Sequence, residues 1–292
     1  MKISVITVAY KSPDIVQKSI DSFFKFNDLG NDIEYILVDN SPEDERINKK
    51  LSKDTLNKII YIPSDNNGFG AGNNKGVSVA RGEILAFINP DIIFIEPIFS
   101  KIYNKFKENN KIAMVGCKLL YDDLSSGFSY YYDYQYSFIK KWSIKIWNKL
   151  NYFDSRKMYI SGANIFIRKD LFILSGMFDD KMFMYYEEPD LTRRINKLGN
   201  YQIVYEKQCK MIHLERKSTP NSINSIKYEF ESAIYYGKKY NLNYKKKINF
   251  EYNYLILKKR IYKYLNKEKY ESLKLVCEYL NNNYFMKGHV EC

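Results

Sequence analysis

The chain has 292 residues, 45% of them hydrophobic, which is enough for one large domain, or for a domain with an extension, around a full core. Its formal net charge of +12 favours an anionic partner, such as a phosphate-bearing substrate, a nucleic acid or a membrane surface, although over-use of lysine by an A/T-rich genome fits as well. No apolar stretch approaches the roughly 20 residues of a bilayer-spanning helix, and neither a cleavable signal nor a metal-binding cysteine spacing is evident, so a cytoplasmic protein is expected.

Strand-like and helix-like segments alternate along the first 118 residues. Buried strands are predicted at 3–8, 33–38, 59–62, 84–88 and 112–117. Helices are predicted to begin at Ser12-Pro13-Asp14 and at Ser41-Pro42, and to cover 73–80 and 97–108. This alternation predicts a mostly parallel α/β sheet flanked by helices, in which ligands bind beyond the carboxyl ends of the strands.

Polar residues follow several of these strands directly. Asp39 ends the second strand, the segment Asn66-Asn67-Gly68-Phe69-Gly70-Ala71-Gly72-Asn73-Asn74-Lys75-Gly76 follows the third, and Asn89-Pro90-Asp91 follows the fourth. Glycine lets backbone N–H groups approach a polyanion closely, so the glycine-rich segment is predicted to be a loop that holds a diphosphate. Each feature alone is also typical of an ordinary turn, and their shared place at one sheet edge is what favours a ligand site.

Residues 119–158 interrupt the alternation with a segment rich in tyrosine and lysine. Its apolar residues recur at helical spacing, namely Phe138, Trp142, Ile146 and Leu150, with Trp147 and four lysines beside them. This pattern is typical of a helix at the surface of an anionic membrane, and also of a helix packed on the protein body with solvated lysines.

The α/β pattern resumes with a strand at 158–167 that is interrupted by Gly162 and Ala163, which leave room beside it. Strand-like runs at 201–205 and 210–214 follow. From residue 238 the chain is helical and basic, with 13 Lys and Arg against 5 acidic residues, so residues 238–292 are predicted to form a helical C-terminal extension.

Oxygen ligands near a diphosphate point to a metal. Asp91 is predicted to bind Mg²⁺ or Mn²⁺, because these hard cations take oxygen ligands and neutralise the charge that grows on a leaving diphosphate; Asn89 could add a carbonyl oxygen. His213, at a strand end, is a candidate metal ligand or diphosphate contact assisted by Arg216 and Lys217, or else a buried core histidine.

Two adjacent carboxylates begin a predicted helix. Pro189 is placed like a first helical residue, which puts Glu187 and Glu188 at the helix N-terminus. Close, shielded carboxylates resist full ionisation, so one of them is a candidate general base for transfer to a hydroxyl group. Favourable charge at a helix N-terminus is the alternative, and it explains Asp190 better than it explains the pair.

Seven motifs occur in a fixed order along the chain. They are Val5-Ile6-Thr7-Val8-Ala9-Tyr10, Leu37-Val38-Asp39-Asn40-Ser41, the segment 67–76, Asn89-Pro90-Asp91, Ser161-Gly162-Ala163, Gly176-Met177-Phe178-Asp179 and Tyr186-Glu187-Glu188-Pro189-Asp190-Leu191, with His213 after them. In this order they resemble the family 2 glycosyltransferases of the GT-A fold, and most nearly the bacterial rhamnosyltransferase-like branch. The resemblance extends from residue 3 to about residue 240.

The resemblance implies a Rossmann-like GT-A domain over residues 1–237, with a nucleotide-binding half (1–118), the insert (119–158) and an acceptor and catalytic half (159–237). It implies a pyrimidine contact at Asp39 and further nucleotide contacts at Val8, Tyr10, Asn67, Gly68, Gly72, Asn73, Asn74 and Asn89. It also implies a metal at Asp91 with His213 nearby. Glu188 is implied to be the base of an inverting single displacement, with Glu187 as the alternative base. The implied acceptor and sugar pocket is at Gly162, Ala163 and Asp190.

The chain departs from the family pattern at several positions. Ala9 and Lys11 flank Tyr10 where threonine and asparagine are usual, and Met177 replaces a second glycine. Asn89 stands in place of the first aspartate of an Asp-x-Asp motif, which weakens the expected affinity for metal. Glu188 is one methylene longer than the usual aspartate, which keeps the neighbouring glutamate open as the base.

The sequence therefore predicts an inverting, metal-dependent glycosyltransferase. The donor predicted first is dTDP-rhamnose, from which L-rhamnose is moved to a hydroxyl of a growing bacterial surface polysaccharide (capsule or O-antigen). This acceptor is predicted to be carried on a polyprenyl-diphosphate lipid. A UDP-hexose or UDP-N-acetylhexosamine donor is the alternative within the family. A non-catalytic basic protein that binds nucleic acid or membrane is the alternative of another class; it leaves the glutamate pair unexplained, so no nucleic acid partner is expected. The basic C-terminal helices and a Trp142/Trp147 stripe are predicted to dock peripherally on the inner face of the cell membrane.

Overall fold

A mixed eight-stranded sheet forms the centre of the computed structural model, which describes residues 1–44, 46–214 and 223–285. Its strands are β1 (Ile3–Ala9), β2 (Ile33–Asp39), β3 (Ile60–Pro63), β4 (Ile84–Ile88), β5 (Ile92–Phe94), β6 (Ile112–Leu120), β9 (Asn164–Arg168) and β10 (Gln202–His213), while β7 (Tyr130–Tyr132) and β8 (Met158–Ile160) form a separate small sheet. The order in space is β3-β2-β1-β4-β9-β6-β10-β5. The predicted Rossmann-like sheet flanked by helices is confirmed.

The first half of the sheet is parallel and is organised around β1. Strands β3, β2, β1 and β4 run parallel, and the chain order reverses at β1. Ala9 pairs with Asp39, and Asp39 with Pro63, so the carboxyl ends of β1, β2 and β3 lie level. Strand β9 runs antiparallel between β4 and β6, which makes the sheet mixed rather than uniformly parallel. The reversal at β1 is where α/β sheets bind ligands.

Helices cover both faces of this sheet, and further helices pack outside it. They are α1 (Pro13–Phe26), α2 (Arg46–Lys50), α3 (Lys53–Lys58), α4 (Phe69–Val77), α5 (Phe99–Glu108), α6 (Phe138–Leu150), α7 (Lys169–Leu174), α8 (Glu187–Lys197), α9 (Ile223–Lys239), α10 (Tyr244–Leu265) and α11 (Lys267–Leu280). Neighbouring residues of β1 enter different cores, with Val5 packed among α1, α2 and α5 and Ile6 packed among α4, α7 and α8. Such burial on both faces explains the continuous apolar runs of β1, β2 and β4.

The glycine-rich segment is not the loop that its composition predicts. Helix α4 begins at Phe69, four residues before the predicted start at Asn73, and Gly68 is its N-cap with a φ of 101°. A Cβ at Gly76 would lie 2.5 Å from Ile6 Cγ2, so glycine lets this helix lie directly on β1. Close helix packing and phosphate binding select the same residue type, which is why the sequence did not distinguish them.

Three other predicted boundaries are corrected by the structure. The helix predicted from Ser41-Pro42 is a 3₁₀ turn followed by the short α2 and α3, and the Ser41 hydroxyl donates to Asp39. The strand predicted at 158–167 is split between β8 and β9, which belong to different sheets. The runs predicted at 201–205 and 210–214 are one strand, β10, with an irregularity between Glu206 and Lys210.

The insert packs through one face of α6. Ile144 and Asn148 are buried, while Trp142 is 67% exposed. Trp147 does not share the exposed stripe predicted for it, because its Nε1 donates a hydrogen bond of 2.9 Å to the Tyr132 hydroxyl and its ring packs against Tyr152. The outward stripe of α6 therefore contains only one of the two tryptophans.

The C-terminal helices have a core of their own. Phe230 of α9, Ile248 of α10 and Leu280 of α11 belong to a third apolar cluster. The predicted border at residue 238 falls in the last turn of α9, which continues to Lys239. In the part of the chain that the structure describes, none of the helices combines the length and the hydrophobicity of a bilayer-crossing segment.

Candidate active site

Glu188, in the first turn of α8, is held by the turn between β8 and β9. Its Oε1 accepts a hydrogen bond of 3.0 Å from the N–H of Gly162. A Cβ at Gly162 would lie 2.2 Å from that oxygen, so glycine is what leaves room for the carboxylate. The structure thus brings the predicted pocket residue beside the predicted base.

The same turn connects Glu188 to the end of β4. The carbonyl of Ala163 accepts a hydrogen bond of 3.1 Å from the N–H of Asn89. The side-chain Oδ1 of Asn89 is buried and has no hydrogen-bond partner among the described residues. An unsatisfied buried acceptor of this kind is costly, and a ligand donor at this edge would satisfy it.

Burial changes the titration of the glutamate pair. Glu187 is 1% exposed, and burial together with the neighbouring Glu188 carboxylate holds the pKa of Glu187 well above its ordinary value. Burial also raises the pKa of Glu188, whose side chain remains partly exposed. Because the two groups titrate together, they favour a state with one proton and one negative charge.

Two residues in left-handed conformation set the position of this pair. Tyr185 and Tyr186 both have a φ of 72°, which costs a non-glycine residue of the order of 1 kcal/mol or more. The segment is tied to α9, because the Ser232 hydroxyl donates a hydrogen bond of 2.8 Å to the carbonyl of Met184. The sequence contains no signal for this strain, since tyrosine does not favour the left-handed region.

The start of α4 lies against the same segment. The N–H of Phe69 donates a hydrogen bond of 2.9 Å to the carbonyl of Phe183, and a Cβ at Gly68 would lie 2.2 Å from that carbonyl oxygen. A Cβ at Gly70 would lie 3.5 Å from Glu187 Cγ. The segment predicted to bind nucleotide therefore begins beside the acidic pair.

Side chains farther along α4 make contacts within the protein. Asn74 donates a hydrogen bond of 2.8 Å to the carbonyl of Phe178 and accepts one of 3.1 Å from its N–H. Asn73 is buried and donates to a carbonyl of its own helix, and a Cβ at Gly72 would lie 2.8 Å from Val8 Cγ1. These contacts join α4 to β1 and to the 178 segment, and nucleotide binding by these residues stays a prediction.

Asp39, the last residue of β2, makes its hydrogen bonds within the protein. It is completely buried, and its carboxylate accepts hydrogen bonds from the N–H and hydroxyl of Ser41 and, at 2.6 Å, from the Tyr61 hydroxyl. Burial and Asp39 raise the pKa of Tyr61, which keeps it protonated as a donor. Tyr10 and Asn67 are exposed at this edge, whereas Asp39 presents no surface to a ligand and orients Ser41 and Tyr61.

Asp91 and His213 lie together where β5 pairs with β10. Nε2 of His213 is 3.3 Å from Oδ1 of Asp91, and the N–H of Leu214 donates to the Asp91 carbonyl. Among the described residues, no group of three or more His, Cys, Asp or Glu could hold a metal by itself. A magnesium or manganese ion that is completed by substrate phosphates needs only one or two protein carboxylates, so Asp91 fits the expected ion by ligand type; it is only 1% exposed, and metal binding at this place stays a prediction. Arg216 and Lys217, predicted to contact the diphosphate, lie outside the described residues.

Asp190 is used inside the protein. It is completely buried, and Arg194 donates a hydrogen bond of 2.8 Å to its Oδ2, while Oδ1 is bound by the Tyr240 hydroxyl at 2.8 Å and by Lys239 Nζ at 2.6 Å. Oδ1 therefore ties α8 to the end of α9, while Oδ2 is held within α8. The acceptor contact predicted for Asp190 would need an exposed surface that this carboxylate does not have.

Comparison with known proteins decides the family. The sequence profile described as glycosyl transferase family 2 matches residues 4–173, which is more than half of the chain. The chain belongs to glycosyltransferase family 2. The family predicted from the motifs is thereby confirmed, and the matched region contains every predicted nucleotide contact but ends before α8 and its two glutamates.

Curated relatives within this family match only in part. The poly(ribitol-phosphate) beta-glucosyltransferase of Bacillus spizizenii is 28% identical over 119 residues, 40% of this chain and 19% of that protein. The minor teichoic acid biosynthesis protein GgaB of Bacillus subtilis is 29% identical over 127 residues, 42% of this chain and 14% of that protein. The O-antigen biosynthesis protein RfbC of Myxococcus xanthus is 22% identical over 227 residues, 74% of this chain and 18% of that protein. The chain thus spans less than a fifth of each of these relatives.

A solved structure shares the fold. The crystal structure of S. aureus TarS 1-349 in complex with UDP superposes with a TM-score of 0.50 at 16% identity, covering 73% of this chain and 60% of that chain. At this identity the likeness supports the GT-A architecture alone. The rhamnosyltransferase-like branch stays a prediction, because among these relatives only the O-antigen protein RfbC, at 22% identity, hints at it.

Replacing Glu187 with glutamine should stabilise the protein, and more so at pH 8 than at pH 5. The folded-state pKa of Glu187 is raised above the ordinary 4.5, so the stability it contributes is present below that value and is lost as the pH rises through the folded-state pKa. Glutamine never ionises and removes this loss. In urea unfolding, the advantage of the variant should grow by at least about 1 kcal/mol between the two pH values.

Asp190→Asn is the contrasting control. It removes charge from a buried carboxylate that binds Arg194 and Lys239, so it should destabilise the protein by about 3 kcal/mol at both pH values. A Glu187→Gln variant that is no more stable than wild type at pH 8 would contradict a protonated, buried Glu187.

Proposed function

We propose that this protein transfers a sugar from a nucleoside-diphosphate sugar to a hydroxyl group of a bacterial surface polymer, with inversion at the anomeric carbon. The observation that carries the proposal is the Glu188 carboxylate, fixed by the N–H of Gly162 beside the end of β4. The family match over residues 4–173 supports the donor class. Relatives named for teichoic acid, poly(ribitol phosphate) and O-antigen synthesis support the acceptor class.

Glu188 is the general base of the proposed reaction. Its Oε1 is held by Gly162, and Oε2 takes the proton of the acceptor hydroxyl while the hydroxyl oxygen bonds to the anomeric carbon. In the same displacement the bond from that carbon to the diphosphate oxygen breaks, and the diphosphate leaves with the electron pair. The raised pKa makes the Glu188 carboxylate a stronger base near neutral pH.

Access to solvent supports Glu188 over Glu187 as the base. Glu187 is almost completely buried, whereas Glu188 is partly exposed and has one oxygen oriented by a backbone donor. A protonated Glu187 leaves the single negative charge of the pair on Glu188. We therefore assign proton transfer to Glu188. Glu187 is assigned the role of holding the shared proton, so that the negative charge of the pair stays on Glu188.

Asp91 and His213 are the residues that would hold Mg²⁺ or Mn²⁺, which when bound neutralises charge on the leaving diphosphate. Asn89 lies two residues before Asp91, and its buried, unsatisfied Oδ1 is assigned to a hydroxyl of the donor. Its backbone N–H is bound to Ala163, so donor and acceptor subsites share one backbone connection.

We propose a UDP-linked hexose or N-acetylhexosamine as the donor, ahead of dTDP-rhamnose. The structural neighbour TarS binds UDP, and a relative at 28% identity is named as a glucosyltransferase. Rhamnose is supported by the motif resemblance and by the O-antigen relative at 22% identity. The acceptor is proposed to be carried on a polyprenyl-diphosphate lipid, which places the reaction at the inner membrane face.

We also propose that α6 and α10 rest on an anionic membrane. Ile139 and Trp142 of α6 are 78% and 67% exposed, and lysines at 140, 145 and 149 surround them. The ring of Phe138 lies 4.9 Å from that of Phe250 in α10. Leu257, Ile261 and Tyr264 continue the exposed apolar face along α10, among Lys258, Lys259, Arg260 and Lys263. Apolar area with a basic border is typical of helices that lie in a membrane interface.

Nucleotide binding is the first test of the proposed function. In thermal unfolding, UDP and UDP-sugars with Mn²⁺ should raise the midpoint by several degrees, because a ligand that binds only the folded state adds about 2.7 kcal/mol at 100 times its Kd. Asp91→Asn should lose the part of this shift that depends on Mn²⁺. A larger shift with dTDP-rhamnose than with UDP-sugars would favour dTDP-rhamnose, the donor predicted from the sequence. The absence of a shift with any nucleotide would contradict glycosyl transfer.

Glu188→Gln should lower kcat by about 10²- to 10⁴-fold and spare nucleotide binding, since it removes only the proton acceptor. Gly162→Ala should also lower kcat, by at least about tenfold, because its Cβ would displace Glu188 Oε1. Gly30→Ala is the control: an added Cβ at Gly30 has nothing within 4 Å, and although the φ of 56° makes alanine strained there and lowers stability, the folded variant should keep the kcat of wild type. Turnover near that of wild type in Glu188→Gln would move the base role to Glu187.

Membrane docking predicts flotation with anionic vesicles at low salt and none with neutral vesicles, because each basic residue near an anionic surface adds about 1 kcal/mol. The double variant Ile139→Ser/Trp142→Ser should stay at the bottom of the gradient. Ile173→Ser/Leu174→Ser, which changes two exposed apolar residues of α7, should float like wild type. Equal flotation of both double variants would show that α6 does not contact the membrane.

A further inference from the structure

A cavity of about 290 Å³ lies on the flank of α8, apart from the catalytic edge. Helix α8 contributes Thr192, Arg193, Asn196 and Lys197 to its lining, and the segment before β8 contributes Arg156 and Lys157. None of these residues belongs to the motifs that predicted the nucleotide or metal sites. The glycosyl transfer proposed at Glu188 therefore assigns no role to this cavity.

The charge of the cavity favours an anion. Its lining contains four cationic side chains and one acidic one, Asp133. Asp154, next to the lining, forms ion pairs with Arg156 at 3.2 Å and with Lys157 at 3.7 Å. Even with Asp154 included, cations outnumber carboxylates by four to two, so an anionic ligand would balance the site.

Arg193 is fixed in position before any ligand arrives. Its Nε and Nη2 both lie 2.6 Å from Oδ2 of Asp133, and its guanidinium lies over the rings of Tyr236 and Tyr240. A guanidinium has five N–H donors, more than this one carboxylate oxygen uses. Rigid, partly unused arginine donors match the geometry of phosphate oxygens.

Thr192 provides a second and independent indication of a ligand. Its side chain is only 6% exposed and lines the cavity, yet its hydroxyl has no hydrogen-bond partner among the described residues. A buried hydroxyl without a partner costs of the order of 1–3 kcal/mol. The hydroxyl oxygen has almost no accessible surface of its own, so an acceptor oxygen in the cavity would satisfy it once the side chain rotates toward the cavity.

The cavity shares a helix face with the candidate base. Glu188, Thr192 and Asn196 are spaced four residues apart, so they lie on one side of α8, and the cavity begins about 6 Å from Glu188 along the helix axis. Strand β8 links the two places as well, because Met158 lines the cavity and the turn after Ile160 contains Gly162. A chain-like ligand bound along this face would reach both.

We propose that this cavity binds a phosphodiester group of the acceptor polymer and so aligns the preceding unit of that polymer with Glu188. This rests on the proposed function, in which the acceptor is a bacterial surface polymer. Phosphate chemistry fits the observed lining of an oriented arginine, two lysines, a second arginine and an unsatisfied hydroxyl. The donor is assigned to the other side of Glu188, at the ends of β1, β2 and β4.

The test measures binding of glycerophosphoglycerol, a small phosphodiester, by phosphorus NMR at each of two fixed ionic strengths. Thr192→Val keeps the shape of the side chain and removes only the unpaired hydroxyl, so it should keep the fold and weaken binding about tenfold. Lys157→Gln/Lys197→Gln should weaken it at least about tenfold and reduce its salt dependence. Lys25→Gln/Lys53→Gln removes the same charge from exposed positions of α1 and α3 and should bind within about twofold of wild type.

Equal binding by wild type and both cavity variants would overturn the site, and so would equal weakening in the Lys25/Lys53 control. Binding of inorganic phosphate without binding of the diester would overturn the assignment to an acceptor polymer in favour of a free phosphate. UDP-induced thermal shifts are measured on the same four proteins and should not change between them. Diester binding that depends on the cavity, with no UDP response in any protein, would support the phosphate site and contradict glycosyl transfer.

Discussion

The close approach of Glu188 to the N–H of Gly162 is the constraint on which the site depends. It requires glycine at position 162, and it requires the chain to leave the small sheet at Ile160 and enter the large one at Asn164. Because β9 lies beside β4, the same turn binds Asn89 through the carbonyl of Ala163. One short turn therefore fixes the carboxylate and the strand end relative to each other.

Helix α9 supports this arrangement from the outside. Left-handed backbone at Tyr185 and Tyr186 persists only where neighbouring structure holds it, and the bond from Ser232 to the preceding carbonyl is one such restraint. Lys239 and the residue after α9, Tyr240, add a second restraint by binding Asp190 in α8. The helices that the sequence marks as a basic extension thus begin inside the framework of the candidate site, since α9 is continuous across residue 238.

The first 118 residues were predictable because local and tertiary preferences agree there. Buried strands with apolar runs, and the Ser-Pro start of α1, have strong local signals, and the sheet topology then places Asp39 and Asn89 at one edge. The start of α4 at Phe69 was not predicted, because glycine is typical of a loop and also of a helix packed directly on a strand. The left-handed Tyr186 and the unpaired hydroxyl of Thr192 were not predictable, because both are imposed by contacts distant in sequence.

Helix α8 has a buried pair of carboxylates at its start and cationic side chains toward its end. The positive end of a helix dipole favours ionised carboxylates, yet burial of the pair at Glu187 and Glu188 outweighs it and raises both pKa values. At the other end the dipole favours cations, which stabilises Lys197 of the cavity lining in the last turn. One helix therefore has a carboxylate with a raised pKa at its start and cations of the cavity toward its end. The separation between the two is set by the helical rise and does not depend on a flexible loop.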